Sequence, residues 1–254
     1  MKKRYQPPAL RFSKWQRRII VPVILFFFIF CISCKKNNEE TPTGLSCRII
    51  TALGGPDTYH FTYDSQGKLS SLHIAPTKQK FTYTYEGNIT NILVEVDGKF
   101  QSKFIITNNS QGFTTNMRRL ANEAGTVWNN QSVEYNGTQL AKILYTTSNP
   151  SSPVLAVKYT WKDGNIASQE SGNSVIEFEY YTDKPAVAGE WRKYSELVEG
   201  YHLYDNKNCT KSTKSGSEVT SFTYDFDNAG KILKMTTSEP GNAVSSVQYE
   251  YSCN

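Results

Sequence analysis

Aromatic and β-branched residues alternate with polar residues along most of the chain after residue 46. The run Ile-Glu-Phe-Glu-Tyr at residues 176–180 shows this alternation clearly. Because successive side chains of a β-strand point to opposite faces, each such run has one apolar face and one polar face. The pattern predicts an all-β domain built from half-buried strands.

One unit recurs along the chain, and it consists of an aromatic-rich strand, a turn that contains glycine, and a second strand. Copies begin at Tyr59, Phe81, Val133, Val157 and Phe222, and a half unit begins at Val247. The turns contain pairs such as Asp97-Gly98, Glu86-Gly87, Asn136-Gly137 and Asp163-Gly164, which tolerate the positive φ angles of tight hairpins. Neighbouring strands are therefore expected to pair antiparallel.

The turn signals between residues 47 and 254 predict about 14 to 16 strands in a single domain. Right-handed twist accumulates along such a meander, and open edges invite pairing with other chains. We therefore expect the sheet to roll into an open or closed barrel. Aromatic residues at consecutive positions of one face, as at residues 81, 83 and 85, are unlike the girdles of a membrane-spanning barrel, so a domain outside the bilayer is favoured.

The repeated unit resembles that of the YD-repeat family of bacterial surface and toxin-shell proteins. Its shared pattern is aromatic-x-Tyr, an acidic residue, a turn with glycine, and a basic and an aliphatic residue, and the resemblance covers residues 47–254. It implies a rolled β-sheet and no particular activity, because a fold does not determine the chemistry that it hosts.

The hairpin rhythm is interrupted at about residues 182–216. Charged residues occupy one side of this segment, and five aromatic or aliphatic residues fall at helical spacing on the other: Trp191, Tyr194, Leu197, Val198 and Tyr201. A short amphipathic helix is predicted over residues 189–199, ending at glycine 200. Its apolar face either plugs an end or a face of the rolled sheet, or presents Trp191 and Tyr194 to a ligand cleft.

The first 33 residues have the pattern of a signal peptide. Seven of the 28 basic residues lie in residues 1–18, and an apolar run follows at residues 19–30. This run is shorter than the roughly 20 apolar residues of a membrane-spanning helix, although an uncleaved anchor is the alternative. Removal of the leader leaves 21 basic and 23 acidic residues without a basic stripe, so we expect no nucleic-acid partner.

Residues 31–34, Cys-Ile-Ser-Cys, resemble the lipobox of Gram-negative bacterial lipoproteins, although Cys31 replaces the usual leucine. The resemblance implies that Cys34 becomes the acylated, palmitate-bearing N-terminus of a protein anchored in the outer membrane. Glu39 and Glu40 are similar to tags that export such proteins to the cell surface. Residues 34–46 form the predicted tether. The whole layout resembles a lipoprotein family of unknown function with a porin-like β fold.

Three further cysteines, Cys47, Cys209 and Cys253, follow the tether in an oxidising compartment. Among their three pairings we favour Cys47 with Cys253, because the start of the first strand and the end of the last lie opposite if those strands meet. Three unpaired, buried thiols are the alternative.

Candidate chemistry is sparse. The three histidines, at residues 60, 73 and 202, occupy unrelated places, and residues 225–230 only partly match a calcium loop, so no metal or cofactor is expected. The carboxylates of Glu177 and Glu179 share one strand face, and we predict that this face is solvated.

We therefore expect a binding module without enzymatic activity that takes a glycan or a peptide through exposed aromatic residues. A scaffold without a small ligand and a hydrolase of surface polymers are the alternatives. The hydrolase would need two clustered carboxylates in a cleft.

Overall fold

The computed structural model describes residues 47–253 except residues 151 and 153. The predicted signal peptide, the tether and Cys34 lie outside the described residues. Sixteen strands and one helix follow one another in the described part. The elements are β1 (Cys47–Gly54), β2 (Asp57–Tyr63), β3 (Leu69–Ala75), β4 (Gln79–Glu86), β5 (Ile89–Val96), β6 (Lys99–Asn108), β7 (Thr114–Leu120), β8 (Trp128–Asn136), β9 (Gln139–Thr147), β10 (Leu155–Lys162), β11 (Asn165–Ser171), β12 (Ser174–Pro185), α1 (Trp191–Glu199), β13 (Asn208–Ser215), β14 (Glu218–Phe226), β15 (Ile232–Ser238) and β16 (Ser245–Cys253).

The sixteen strands form one closed antiparallel barrel in which every strand pairs with its neighbours in sequence. β1 pairs with β16 and closes the sheet, with Cys47 opposite Cys253 in the register. The predicted all-β meander is confirmed, and of the two alternatives left open the sheet is the closed barrel. The strand count lies at the upper end of the predicted range.

Alternate turns of the meander lie at opposite ends of the barrel. We call the end where β1 begins and β16 ends the proximal end, and the other the distal end. The distal turn Asp97-Gly98 has φ angles of 53° and 72°, and the proximal turn Asp163-Gly164 has 54° and 78°. Both pairs adopt the left-handed conformation that was predicted for them, which keeps the flanking strands paired through their right-handed twist.

The two faces of the sheet differ in polarity as the alternation predicts. On β12, Phe178 is buried inside the barrel, whereas Glu177 and Glu179 are exposed on its outer face. Across the β12–β13 pair, Lys214 Nζ lies 3.0 Å from Glu177 Oε2, and Lys211 Nζ lies 3.2 Å from Glu179 Oε2. The predicted solvated carboxylate face is therefore an outer row of ion pairs.

Four tyrosine hydroxyls and the indole N–H of Trp161 join neighbouring strands at the proximal end. The last aromatic residue of five even-numbered strands donates a hydrogen bond to a main-chain carbonyl near the start of the preceding strand. The pairs are Tyr63 to Ile49 (2.7 Å), Tyr85 to Leu69 (2.8 Å), Tyr135 to Thr114 (2.8 Å), Trp161 to Leu140 (2.9 Å) and Tyr251 to Ile232 (2.8 Å). The repeated tyrosine thus has a polar role in addition to its apolar contacts.

The interruption of the meander is shorter than predicted. β12 continues to Pro185 and β13 begins at Asn208, so only residues 186–207 leave the barrel wall, and α1 spans nine of them. We call residues 186–207 the plug. No helix among the described residues has the length and apolar character needed to cross a membrane.

Candidate functional site

The helix of the plug is defined at both ends by specific residues. The Glu190 carboxylate caps its start, because Oε2 accepts the main-chain N–H groups of Arg192 (2.8 Å) and Lys193 (3.2 Å). At its end Gly200 has a φ of 70°, and its N–H donates to the Glu196 carbonyl. The short amphipathic helix predicted for this segment is thus present, two residues shorter at its start.

Gly200 also lies close against the barrel wall. A β-carbon at this position would lie 2.6 Å from Ile92 Cδ1 and 2.7 Å from Tyr83 Cε1. Both the positive φ and the close approach therefore require glycine.

Three tyrosine hydroxyls attach the plug to widely separated strands. β4, β8 and β16 each provide one hydroxyl that donates to a main-chain carbonyl of the plug, and in β8 and β16 the single hydroxyl proton is shared with the carbonyl of the preceding strand. The pairs are Tyr83 to Val198 (3.1 Å), Tyr135 to Leu203 (3.0 Å) and Tyr251 to Ala188 (3.2 Å). Because these strands are distributed around the circumference, the plug crosses the barrel interior.

The charged residues of the helix were predicted to lie on the side away from its packing face, and this prediction is wrong for three of them. Glu190, Arg192 and Glu196 are buried, with at most 8% of each side chain exposed. Trp191 and Tyr194 are only partly buried. The reason is that the barrel surrounds the helix, so no side of it faces bulk water.

Buried charges of the plug neutralise one another. Arg192 Nη2 lies 3.5 Å from Glu196 Oε1, and its guanidinium carbon lies 4.9 Å from the centre of the Tyr204 ring. Glu196 Oε2 lies 3.1 Å from His202 Nδ1. Burial opposes ionisation of Glu196, but the His202 hydrogen bond and the Arg192 charge lower its pKa. This network holds the Arg192 charge beside an acidic partner and lies outside the cavity described next.

A cavity of about 1420 Å³ lies between the plug and the distal end. Sixteen strands enclose more space than wall side chains alone can fill, and the plug occupies only the proximal part of it. The lining reaches the distal loops at Thr77 and Glu239 and the start of β16 at Ser245. The cavity therefore extends to the distal end, opposite Cys47.

Trp191 and Tyr194 both line this cavity from the plug side. The Trp191 ring stacks on Phe222 with centroids 4.8 Å apart, and the Tyr194 ring tilts against Tyr249 at 5.3 Å. The helix thus plugs the proximal part of the barrel, and Trp191 and Tyr194 lie on its side that faces the cavity.

The remaining lining combines neutral polar groups with few charges. Five side-chain amides line the cavity, namely Gln79, Gln101, Asn129, Gln131 and Gln169. Threonine and serine hydroxyls lie between them. Of the described charged residues, three line the cavity: Arg119 on β7, Glu199 at the end of α1 and Glu239 in the loop after β15. Such a surface offers hydrogen bonds and aromatic faces to a polar ligand.

Glu199 has an unusual ionisation equilibrium for a carboxylic acid. Burial inside the barrel raises the pKa of Glu199 to about 7, although a hydrogen bond with Tyr201 and the Arg192 charge oppose this rise. The side chain thus gains or loses its charge near neutral pH at the floor of the cavity.

The other predicted site residues lie away from the cavity. Cys47 and Cys253 form a disulfide between the first and last strands, and Cys209 is a buried free thiol. His60 and His73 do not occupy unrelated places as expected, because they lie directly opposite each other on β2 and β3 with ring centroids 6.5 Å apart. No group of three or more metal-binding side chains is present in the part of the chain that the structure describes.

Sequence reasoning missed Arg119, Glu199 and the five amides. The alternation of β7 contains the signal for Arg119, since Met117 is buried and a residue two positions later shares its face. Arg118 therefore points outward, where its guanidinium carbon lies 4.6 Å from the centre of the Trp128 ring. The amides carried no comparable signal, because polar residues are ordinarily assigned to the outer face.

Comparison with known proteins supports the architecture. The Teneurin YD-shell family model matches residues 43–254. A porin-like protein from Bacteroides uniformis, solved by crystallography, is similar in fold with a TM-score of 0.58 and 14% sequence identity; the match covers 82% of this chain and 98% of that one. No curated protein matches. At this identity the structural similarity concerns the fold alone.

Proposed function

Starting from the fact that the chain belongs to the Teneurin YD-shell family, we propose that it is a lipoprotein whose barrel cavity binds a glycan without transforming it. The lipid on Cys34 anchors it to the outer membrane, facing the cell surface or the periplasm. The observation that carries the binding role is the cavity of about 1420 Å³ with its aromatic floor and amide walls. A cavity of this size accommodates an oligosaccharide of a few residues.

The lining favours a glycan over a peptide. Sugar rings stack on aromatic faces, which Trp191 and Tyr194 provide, and their hydroxyls pair with amides such as Gln131 and Gln169. Extended peptides commonly bind by adding a strand to an open sheet edge. The closed barrel offers no such edge among its sixteen strands.

Binding without catalysis is favoured by the placement of the cavity carboxylates. Glu199 belongs to the plug at the cavity floor, whereas Glu239 lies in a distal loop. Glycoside hydrolysis uses two carboxyl groups that flank a single bond. Carboxylates at opposite ends of the cavity do not form such a pair.

The course of the chain supports anchoring at the proximal end. The described chain enters the barrel at Cys47, next to the plug and opposite the distal end of the cavity. A lipid on Cys34 would therefore hold the plugged end towards the bilayer and leave the cavity directed away from it. The outer face of the barrel carries exposed ion pairs, such as that of Lys211 with Glu179, which fit an aqueous environment.

Mass spectrometry of the full chain expressed in a Gram-negative host tests the anchor. We expect a mature N-terminus at Cys34 that carries acyl chains, and a Cys34→Ala variant that is not acylated. Cys31→Ala is the matched control and should be processed normally. An unmodified, uncleaved N-terminus in the unaltered chain would contradict the proposal.

A glycan array with the full chain in detergent tests the cavity. The Thr237→Trp variant adds bulk to the cavity wall, whereas Thr236→Trp adds it to the outer face of the same strand. We expect binding that Thr237→Trp abolishes and Thr236→Trp retains. An array without binding, or binding indifferent to Thr237→Trp, would refute the proposed role.

A further inference from the structure

Arg119 is the cationic side chain of the cavity, and its charge is not balanced there. It lies on β7 between Phe104 of β6 and Asn129 of β8. Among the residues that the structure describes, no carboxylate lies within 4.0 Å of its nitrogens. Its Nε atom is buried without a hydrogen-bond partner in the described part of the chain.

Such an arrangement costs free energy. The guanidinium stays charged at any physiological pH, and a buried N–H group without a partner loses its hydration without compensation. Burial also lowers the pKa of Arg119 from its ordinary value, which reflects the same loss. The guanidinium carbon lies 5.8 Å from the centre of the Phe104 ring, a contact that orients the side chain without neutralising it.

We propose that Arg119 binds the carboxylate of an acidic glycan, so that the ligand of the cavity bears a uronic or sialic acid residue. This inference rests on the proposed glycan-binding role and narrows its ligand class. A carboxylate accepts two parallel hydrogen bonds from a guanidinium, which would satisfy the buried Nε. Asn129, opposite Arg119, and Gln131 line the same region and would pair with the neighbouring sugar hydroxyls.

The positions of the two acidic side chains of the cavity agree with a glycan carboxylate bound at Arg119. Glu199 lies at the floor of the cavity and Glu239 follows β15, eight strands away from β7 in the sixteen-stranded barrel. The two acidic groups are thus separated from Arg119, and each would repel a carboxylate bound near itself. The acidic residue of the glycan is therefore expected on the wall formed by β6, β7 and β8.

The inference is tested by measuring the affinity of the full chain in detergent for a panel of oligosaccharides. Each member contains a uronate or sialate and is compared with its carboxyl-reduced, neutral counterpart. We expect the acidic member of a pair to bind at least 10-fold more tightly, and added salt to narrow the difference. Arg119→Gln should weaken acidic binding by about 10- to 100-fold, as expected for loss of a charged hydrogen-bond donor. Arg118→Gln is the matched control, because its side chain lies on the outer face; it should bind as the unaltered chain does.

The outcomes separate the two proposals. Equal binding of acidic and neutral members, or an Arg119→Gln variant that melts and binds like the unaltered chain, would overturn the role of Arg119. If Thr237→Trp still abolishes that binding, the glycan-binding role stands. Binding of acidic peptides without any glycan would overturn the ligand class, and no binding to the panel or to the array would overturn both proposals.

Discussion

Glu199 shows how enclosing a helix inside a barrel changes the chemistry of a single residue. At the end of an exposed helix this carboxylate would be hydrated and ionised. In the plug it lies between Tyr201 and the cavity, and burial raises its pKa from 4.5 to about 7. The ionised form is therefore disfavoured in the folded protein relative to the unfolded chain.

We expect Glu199 to make the folded protein less stable as the pH rises. Between pH values of about 4.5 and 7 the folded state retains a proton that the unfolded state has released, so stability is lost as the pH rises through this window. Since one pKa unit corresponds to about 1.4 kcal/mol, a rise from 4.5 to about 7 makes the loss on the order of 3 to 4 kcal/mol. Glu199→Gln cannot ionise and lacks this contribution.

Urea unfolding at pH 5, 6, 7 and 8 measures the effect as the difference between the unaltered chain and Glu199→Gln. The free energy of unfolding of Glu199→Gln should increase relative to that of the unaltered chain up to about pH 7, and the difference should level off near pH 8. Titrating groups that do not interact with Glu199 contribute equally to both proteins, so the comparison isolates Glu199 and its immediate partners. Parallel pH profiles would show that Glu199 is ionised normally in the folded state.

The repeated hairpin combines an apolar ring and a hydroxyl in one residue at its proximal end. The ring of the last tyrosine packs against the core in β2, β8 and β16 and is more exposed in β4. In each case its hydroxyl donates to a carbonyl of the preceding strand, as Tyr85 does for Leu69. A tyrosine at this position therefore joins two strands that the alternation pattern alone would leave joined only by main-chain bonds. This is a physical reason for tyrosine rather than phenylalanine in the repeat.

Tyr85→Phe is expected to reduce the free energy of unfolding by about 0.5 to 1.5 kcal/mol, because it removes one hydrogen bond and retains the ring. Tyr145→Phe is the control. The Tyr145 side chain lines the cavity, so this variant should lose much less free energy of unfolding. Chemical denaturation at one pH compares the two variants. Equal losses in both would mean that the Tyr85 hydroxyl contributes nothing specific to the hairpin.

The elements that were predicted correctly are those set by local sequence. Alternation and turn glycines predicted the strands and their antiparallel order, because each depends on a few adjacent residues. Closure depends on the pairing of β1 with β16, whose cysteines are 206 residues apart, and it was left open for that reason. Helical periodicity placed α1 almost correctly, but it could not show that the barrel would also bury Glu190 and Arg192.

The molecule as a whole is a wide barrel divided by its own insertion into a filled proximal part and a distal cavity. Its closure depends on a single pair of strands at the two ends of the domain. The disulfide between Cys47 and Cys253 lies at that pair, on the plugged side. A covalent bond across this seam restricts the unfolded chain over nearly the whole domain.

Removing the disulfide should therefore destabilise the entire barrel rather than one hairpin. The double variant Cys47→Ser, Cys253→Ser is expected to lose roughly 3 to 5 kcal/mol of unfolding free energy, the range for a bridge that closes a long loop. Cys209→Ser is the control, because that thiol is not bridged. Urea unfolding with and without dithiothreitol provides the measurement: the reductant should lower the midpoint of the unaltered chain and of Cys209→Ser, and leave the double variant unchanged. An unaltered chain that is insensitive to the reductant under unfolding conditions would show that the seam is held by β1–β16 pairing alone.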